Sequence, residues 1–138
     1  QDELFGQLTH IKSKDPSKSY FMGSGVFAPT NDEIELYIFT DQNGPSQAER
    51  EFYKTVEKSF DSLITMMIHL VEIELKKHGE IHKVQNFRDE FKVRELTIPP
   101  MNKKPFHSEI TFEVIPGDID QMIMEFEDFR PVRVRVEE

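Results

Sequence analysis

Between positions 33 and 78 the hydrophobic pattern changes period. Glu33-Ile-Glu-Leu-Tyr-Ile-Phe39 alternates, with Ile34, Leu36 and Ile38 on one face and Glu33, Glu35, Tyr37 and Phe39 on the other. That is the two-residue repeat of a half-buried strand. Beyond Asn43-Gly44-Pro45 the spacing lengthens to three and four: Phe52, Val56, Phe60, Leu63, Met67, Leu70 and Val71, widened by Tyr53, Ile64, Ile68 and Leu75. This predicts one long amphipathic helix. Ser46 and Glu49 suit a capping box behind Pro45. Gly79 is the expected stop, with Lys76, Lys77 and His78 beside the negative end of the helix dipole. Unbroken, such a helix spans about 50 Å. That is more than one small sheet covers, so it either projects at its start or bends between Ser59 and Ser62.

From Leu63 to Ile73 the helix is apolar nearly all round, and Met66 and Ile73 fall outside the main stripe. A second apolar face needs a second cover. Either C-terminal segments of the same chain supply it, or a second copy does, which makes Met66 and Ile73 candidate contacts of a homodimer.

Upstream, residues 4–11 and 19–27 read as two further strands, joined to the strand at 33–39 by connections too short for a crossover. They predict an antiparallel meander. Gly23 and Gly25 inside the second strand predict a bulge or a close approach of another backbone. Downstream, residues 87–98 and 109–115 read as strands separated by a proline-rich loop, with Ile110, Phe112 and Val114 inward. Residues 121–128 and 132–136 are two further runs that join as one strand bent at Pro131. The last alternates Val132, Val134 and Val136 against Arg133, Arg135 and Glu137, as a half-buried strand near a sheet edge does. The expected fold is a single α+β domain over 1–138. Its antiparallel sheet of about six strands, in the order βββ-α-βββ, packs on one long helix.

Composition narrows the function classes. At 138 residues with 37 % hydrophobics and 12 Phe, the chain can bury a core and is no disordered segment. It has no Cys, which removes disulfides, thiolate chemistry and Cys-based zinc sites. With 17 basic against 26 acidic residues the net charge is −9, which argues against nucleic acid as the partner. The charge is uneven: Lys76 to Lys104 is net +4, leaving −13 on the rest. That remainder would steer a basic partner, or simply keep the protein soluble. No apolar run approaches the ~18 residues of a membrane span. No signal peptide is visible, so a cytoplasmic location is expected, although a chain opening on Gln1 leaves a removed leader open.

No motif commits the chain to catalysis, and no cofactor or metal is expected. His78 and His82 are four apart, but Gly79 falls between them and Glu80 is not where a zincin places its glutamate. His69 lies among apolar residues and reads as a satisfied core or interface histidine. Asp118 and Asp120 lack the dense oxygen spacing of a calcium loop. Gly23-Ser24-Gly25 has neither the full glycine pattern nor the following helix of a phosphate cradle, and no serine elbow is present. A second reading stays open, a small hydrolase or ligand-binding domain using His69 or His107 with a carboxylate between sheet and helix.

An Ile-Glu-Leu strand, the turn Asp41-Gln-Asn-Gly-Pro-Ser-Gln47 and a long helix carrying Phe52-Tyr53 and later Phe60-Asp-Ser-Leu63 follow one another. This order resembles small uncharacterised bacterial α+β domains, several of which occur as immunity proteins in polymorphic or contact-dependent toxin systems. The resemblance covers mainly Phe5 to Leu75. It implies a stoichiometric protein binder rather than an enzyme, with a basic toxin domain as partner. The candidate contacts on this expectation are Glu33, Glu35 and Tyr37 on the polar side of the third strand and Asp41 and Asn43 at the helix start. Glu125, Glu127 and Asp128 form a second acidic group.

Overall fold

The structure, a computed structural model, describes residues 2–15, 18–40, 43–79, 83–102, 104–115 and 121–137. Seven strands form one sheet in sequence order: β1 (Thr9–Ile11), β2 (Tyr20–Phe27), β3 (Asp32–Ile38), β4 (Phe91–Ile98), β5 (His107–Val114), β6 (Gln121–Glu127) and β7 (Arg130–Glu137). Between β3 and β4 run the helix α1 (Gln47–Lys77) and the single turn α2 (Phe87–Glu90). Every neighbouring pair is antiparallel except β3 and β4, which are parallel, with Glu35 opposite Glu95 and Tyr37 opposite Thr97. The sheet is therefore mixed and has one strand more than expected. The helix is a crossover that returns the chain to the same end of the sheet, so β4 must run with β3. The extra strand arises because residues 121–137 fold into a hairpin instead of one bent strand.

A two-residue turn makes that hairpin. Asp128 adopts φ +53°, a left-handed conformation that Asp tolerates. Its carboxylate accepts the Phe106 N–H at 2.9 Å, and its own N–H donates to the Phe106 carbonyl at 2.7 Å. In β7 the alternation slips at Val132. Pro131 pairs with Phe126 and Arg133 with Glu125, leaving Val132 bulged and 47 % exposed. Pro131 takes the buried position in its place.

Helix α1 is one uninterrupted element. At its start the Glu49 carboxylate accepts both the N–H (3.2 Å) and the O–H (2.6 Å) of Ser46. At its end the Gly79 N–H reaches the Lys76 carbonyl, with Gly79 at φ +82°. Phe52, Tyr53, Phe60, Met67, Val71 and Leu75 are buried on one stripe. They meet Ile34, Leu36 and Ile38 of β3, Val93, Leu96 and Ile98 of β4, Ile110 and Phe112 of β5, and Met122 and Met124 of β6 in one core. Ring contacts tie the layers together: Phe60 meets Phe27 edge-on at 5.1 Å, and Phe52 meets Phe129 at 4.9 Å. The second apolar face of the helix gains no cover, because Met66 and Ile73 remain 37 % and 43 % exposed. His69 lies exposed on the same solvent side rather than in the core.

The N-terminal segment departs most from the alternation. Residues 2–6 form a tight turn in which Asp2 Oδ1 accepts the N–H groups of Leu4 (2.8 Å) and Phe5 (2.9 Å), and only Thr9–Ile11 is strand. Phe5 is fully buried against Tyr53. Its carbonyl accepts the Ser24 N–H at 2.9 Å. A Cβ on Gly23 would sit 2.5 Å from that carbonyl oxygen, so the close backbone approach signalled by the glycine is real. Among the described residues no helix is long and apolar enough to cross a membrane.

Candidate functional site

Helix α1 covers one side of the sheet, and among the described residues no helix covers the other, although Thr111 and Ile123 are buried there by their neighbours. Period two places the polar residues there. Glu33, Glu35 and Tyr37 of β3 share it with Glu95 and Thr97 of β4, Glu109, Thr111 and Glu113 of β5, Glu125 and Glu127 of β6, and Arg133, Arg135 and Glu137 of β7. Glu33 and Glu35 of the first acidic group and Glu125 and Glu127 of the second thus lie on one face.

Charge divides this face in two. On the β5–β7 half the chain pairs Glu109, Glu113 and Glu125 with its own arginines. Arg133 forks onto Glu125 with two bonds of 2.8 and 2.9 Å. Arg135 bridges Glu125 (3.0 Å) and Glu109 (3.3 Å). These guanidinium groups hold the Glu125 carboxyl below its ordinary range, Arg133 contributing most. Arg94, bulged out of β4, pairs with Glu113.

On the β3–β4 half there is no such compensation. Among the described residues no Lys, Arg or His lies within ion-pair distance of Glu33, Glu35 or Glu95. Glu35 and Glu95 are register partners on adjacent strands. Burial, helped by the negative charges of Glu35 and Glu137, pushes the Glu95 carboxyl up, while a hydrogen bond from Thr111 partly opposes it. The Tyr37 hydroxyl donates to Glu35 Oε2 at 2.7 Å, and that bond, with burial and the nearby Glu95, raises the phenol well above its usual range. Tyr20 (5.9 Å from Tyr37) and Phe39 (5.2 Å from Tyr20) complete an aromatic corner. An open depression of about 950 Å³ runs between Glu33, Glu35, Arg94, Glu95 and Glu137.

The remaining candidates fall elsewhere. Asp128 is engaged by the hairpin turn and Phe106. Glu127 sits exposed at the end of β6, opposite His107 and Arg130. Asn43 is exposed just before Gly44. Asp41, His82, Asp118 and Asp120 lie outside the described residues. His69 and His107 are not brought together: one is on the outer side of α1, the other at the start of β5, and both are exposed. Between sheet and helix, the space lined by Phe60, Leu63, Ile110 and Phe126 amounts to about 10 Å³, the limit for a single water. His78 pairs with Glu74 at 3.0 Å. Among the described residues no group of three His, Asp or Glu is placed to hold a metal ion.

Glu95 escaped the sequence reading, because its partnership with Glu35 depends on the parallel register across the crossover. The neutralisation of Glu125 had a legible signal in Glu125-x-Glu127 and Arg133-x-Arg135, which face each other once the short turn is recognised. Comparison of the chain with protein-family models, with curated proteins and with solved structures gives no match.

Proposed function

We propose that this protein is a non-enzymatic binding domain of the immunity-protein kind, which neutralises a basic protein partner, such as a toxin domain, by occupying it with the open face of its sheet. One observation carries the reading. The chain pairs Glu109, Glu113 and Glu125 with its own arginines, yet among the described residues Glu33, Glu35 and Glu95 on β3–β4 have no cation within ion-pair distance, beside a half-buried tyrosine. Like charges in register destabilise a sheet, and a basic partner would relieve that repulsion. Unbalanced charge on an open face also steers association and excludes wrong partners. The net charge of −9 and the resemblance around Asp41–Gln47 point the same way. A stoichiometric inhibitor needs a preformed surface and no reacting groups. The alternative hydrolase reading needs a histidine between sheet and helix, and His69 and His107 both stand exposed elsewhere.

The test is affinity capture from the organism that encodes the chain, at low and moderate salt, read by mass spectrometry. A single stoichiometric partner of basic charge, released as salt rises, is the expected result. Capture of no partner at either salt, or of an acidic partner indifferent to salt, overturns the reading.

A further inference from the structure

The chemistry of the partner's contact can be narrowed further, on the premise that the acidic sheet face is the binding surface. Tyr37 is not a core residue. It stands on the solvent face, half-buried, with its hydroxyl bonded to Glu35 and the Tyr20 ring beside it at 60°. The ring is therefore held in place by polar and aromatic neighbours before any partner arrives. Next to it, Glu35 and Glu95 lie in register on adjacent strands, about 4.8 Å apart along the hydrogen-bonding direction. Three arginines of the face are bonded to other carboxylates, Arg94 to Glu113, Arg133 to Glu125, and Arg135 to Glu125 and Glu109, and among the described residues neither Lys92 nor Arg130, which share the face by register, is within ion-pair distance of Glu35 or Glu95.

A fixed aromatic ring next to two unneutralised carboxylates suits one side chain above others. An ammonium is a compact, strongly hydrated point charge, satisfied by any carboxylate. A guanidinium is flat and less hydrated, stacks on aromatic faces, and offers donors in a fork that can engage carboxylates in its own plane. The same fork already serves this face internally, where Arg133 grips Glu125 with two bonds. We propose that the partner docks with an arginine, its guanidinium laid on the Tyr37 ring and bonded to the Glu35 and Glu95 carboxylates. The open depression beside them gives such a side chain room to enter.

Nona-arginine and nona-lysine peptides, of equal length and charge, serve as probes of the full chain in calorimetric titrations at low ionic strength. Nona-arginine is expected to bind about 5-fold more tightly. Tyr37→Leu should remove most of that preference while moving nona-lysine affinity by less than about 2-fold. Tyr37→Phe, which keeps the ring and loses only the hydroxyl, should retain it. Glu35→Gln combined with Glu95→Gln should weaken both peptides. Equal affinity for the two peptides, or an arginine preference untouched by Tyr37→Leu, overturns the arginine contact and leaves the acidic-face reading standing. Failure of both peptides to bind, or binding insensitive to the double glutamine change, overturns both.

Discussion

At the scale of single residues, two positions carry more of the account than their neighbours. Gly23 lets the Phe5 carbonyl approach β2, whereas a Cβ at Gly25 would meet Leu4 O at an ordinary 3.6 Å. Gly23→Ala should therefore cost about 1–3 kcal/mol in urea denaturation, and Gly25→Ala should be close to neutral. Equal effects would mean that the N-terminal turn does not press on β2. Glu95 gives a pH prediction. Its folded pKa is raised above the unfolded value, so its contribution to stability is fully present below the unfolded pKa of about 4.5 and is lost as pH rises through the folded value. Asp2 and Glu125 are shifted down, and their contributions disappear only as pH falls below the ordinary carboxylate range. Between the two regimes, on the neutral side of the carboxylate range, Glu95→Gln should raise the melting temperature relative to the parent, with the gain shrinking as pH is lowered. A gain that grows on acidification would contradict the burial of Glu95 and its repulsion by Glu35. Period two was enough to place Glu33, Glu35 and Tyr37 on the polar face. It was silent on Glu95, whose meaning comes only from its neighbour across the parallel pair.

At the scale of elements, α1 was the most legible part of the chain. Its stripe, its Ser46/Glu49 start and its Gly79 stop were all readable, because each is a local signal written within a few residues. Phe60 lies at the middle of the buried stripe, in contact with Phe27 and Phe87. Phe60→Ala should cost about 3–5 kcal/mol by denaturant titration, and a loss below about 1 kcal/mol would contradict the burial described. The outer side of the same helix is a different matter. Met66 and Ile73 are exposed apolar side chains flanked by Thr65, His69 and Lys76. Met66→Glu with Ile73→Glu is expected to leave both the sedimentation coefficient and the stability unchanged within about 0.5 kcal/mol. Dissociation of a dimer on that change would instead establish the helix as a subunit interface. The β6–β7 hairpin was harder to read, since Asp128-Phe129 carries no glycine and Pro131 resembles a break. The left-handed Asp128 and the bulge at Val132 resolve it. With Pro131, the bulge and three arginines, β7 is also an edge that resists pairing with another strand.

At the scale of the whole molecule, the crossover between β3 and β4 decides the function proposed here. It turns the expected antiparallel sheet into a mixed one and sets Glu35 beside Glu95. It also commits α1 to one side, so that among the described residues no helix covers the other sheet face. Local pattern could not reveal this, because strand order and register are long-range facts, whereas alternation and helical spacing are local ones. The central claim, that this open face binds a basic partner through its β3–β4 half, is tested most directly by the affinity of the captured partner for two charge-matched variants. Glu35→Lys with Glu95→Lys changes the proposed contact, while Glu51→Lys with Glu57→Lys places the same charge change on α1. The sheet variant should lose at least about 100-fold in affinity, the cost of burying unpaired like charges, and the helix variant should change it by less than about 5-fold. Equal losses in the two would reduce the effect to net charge, and loss confined to the helix variant would contradict the sheet-face account outright.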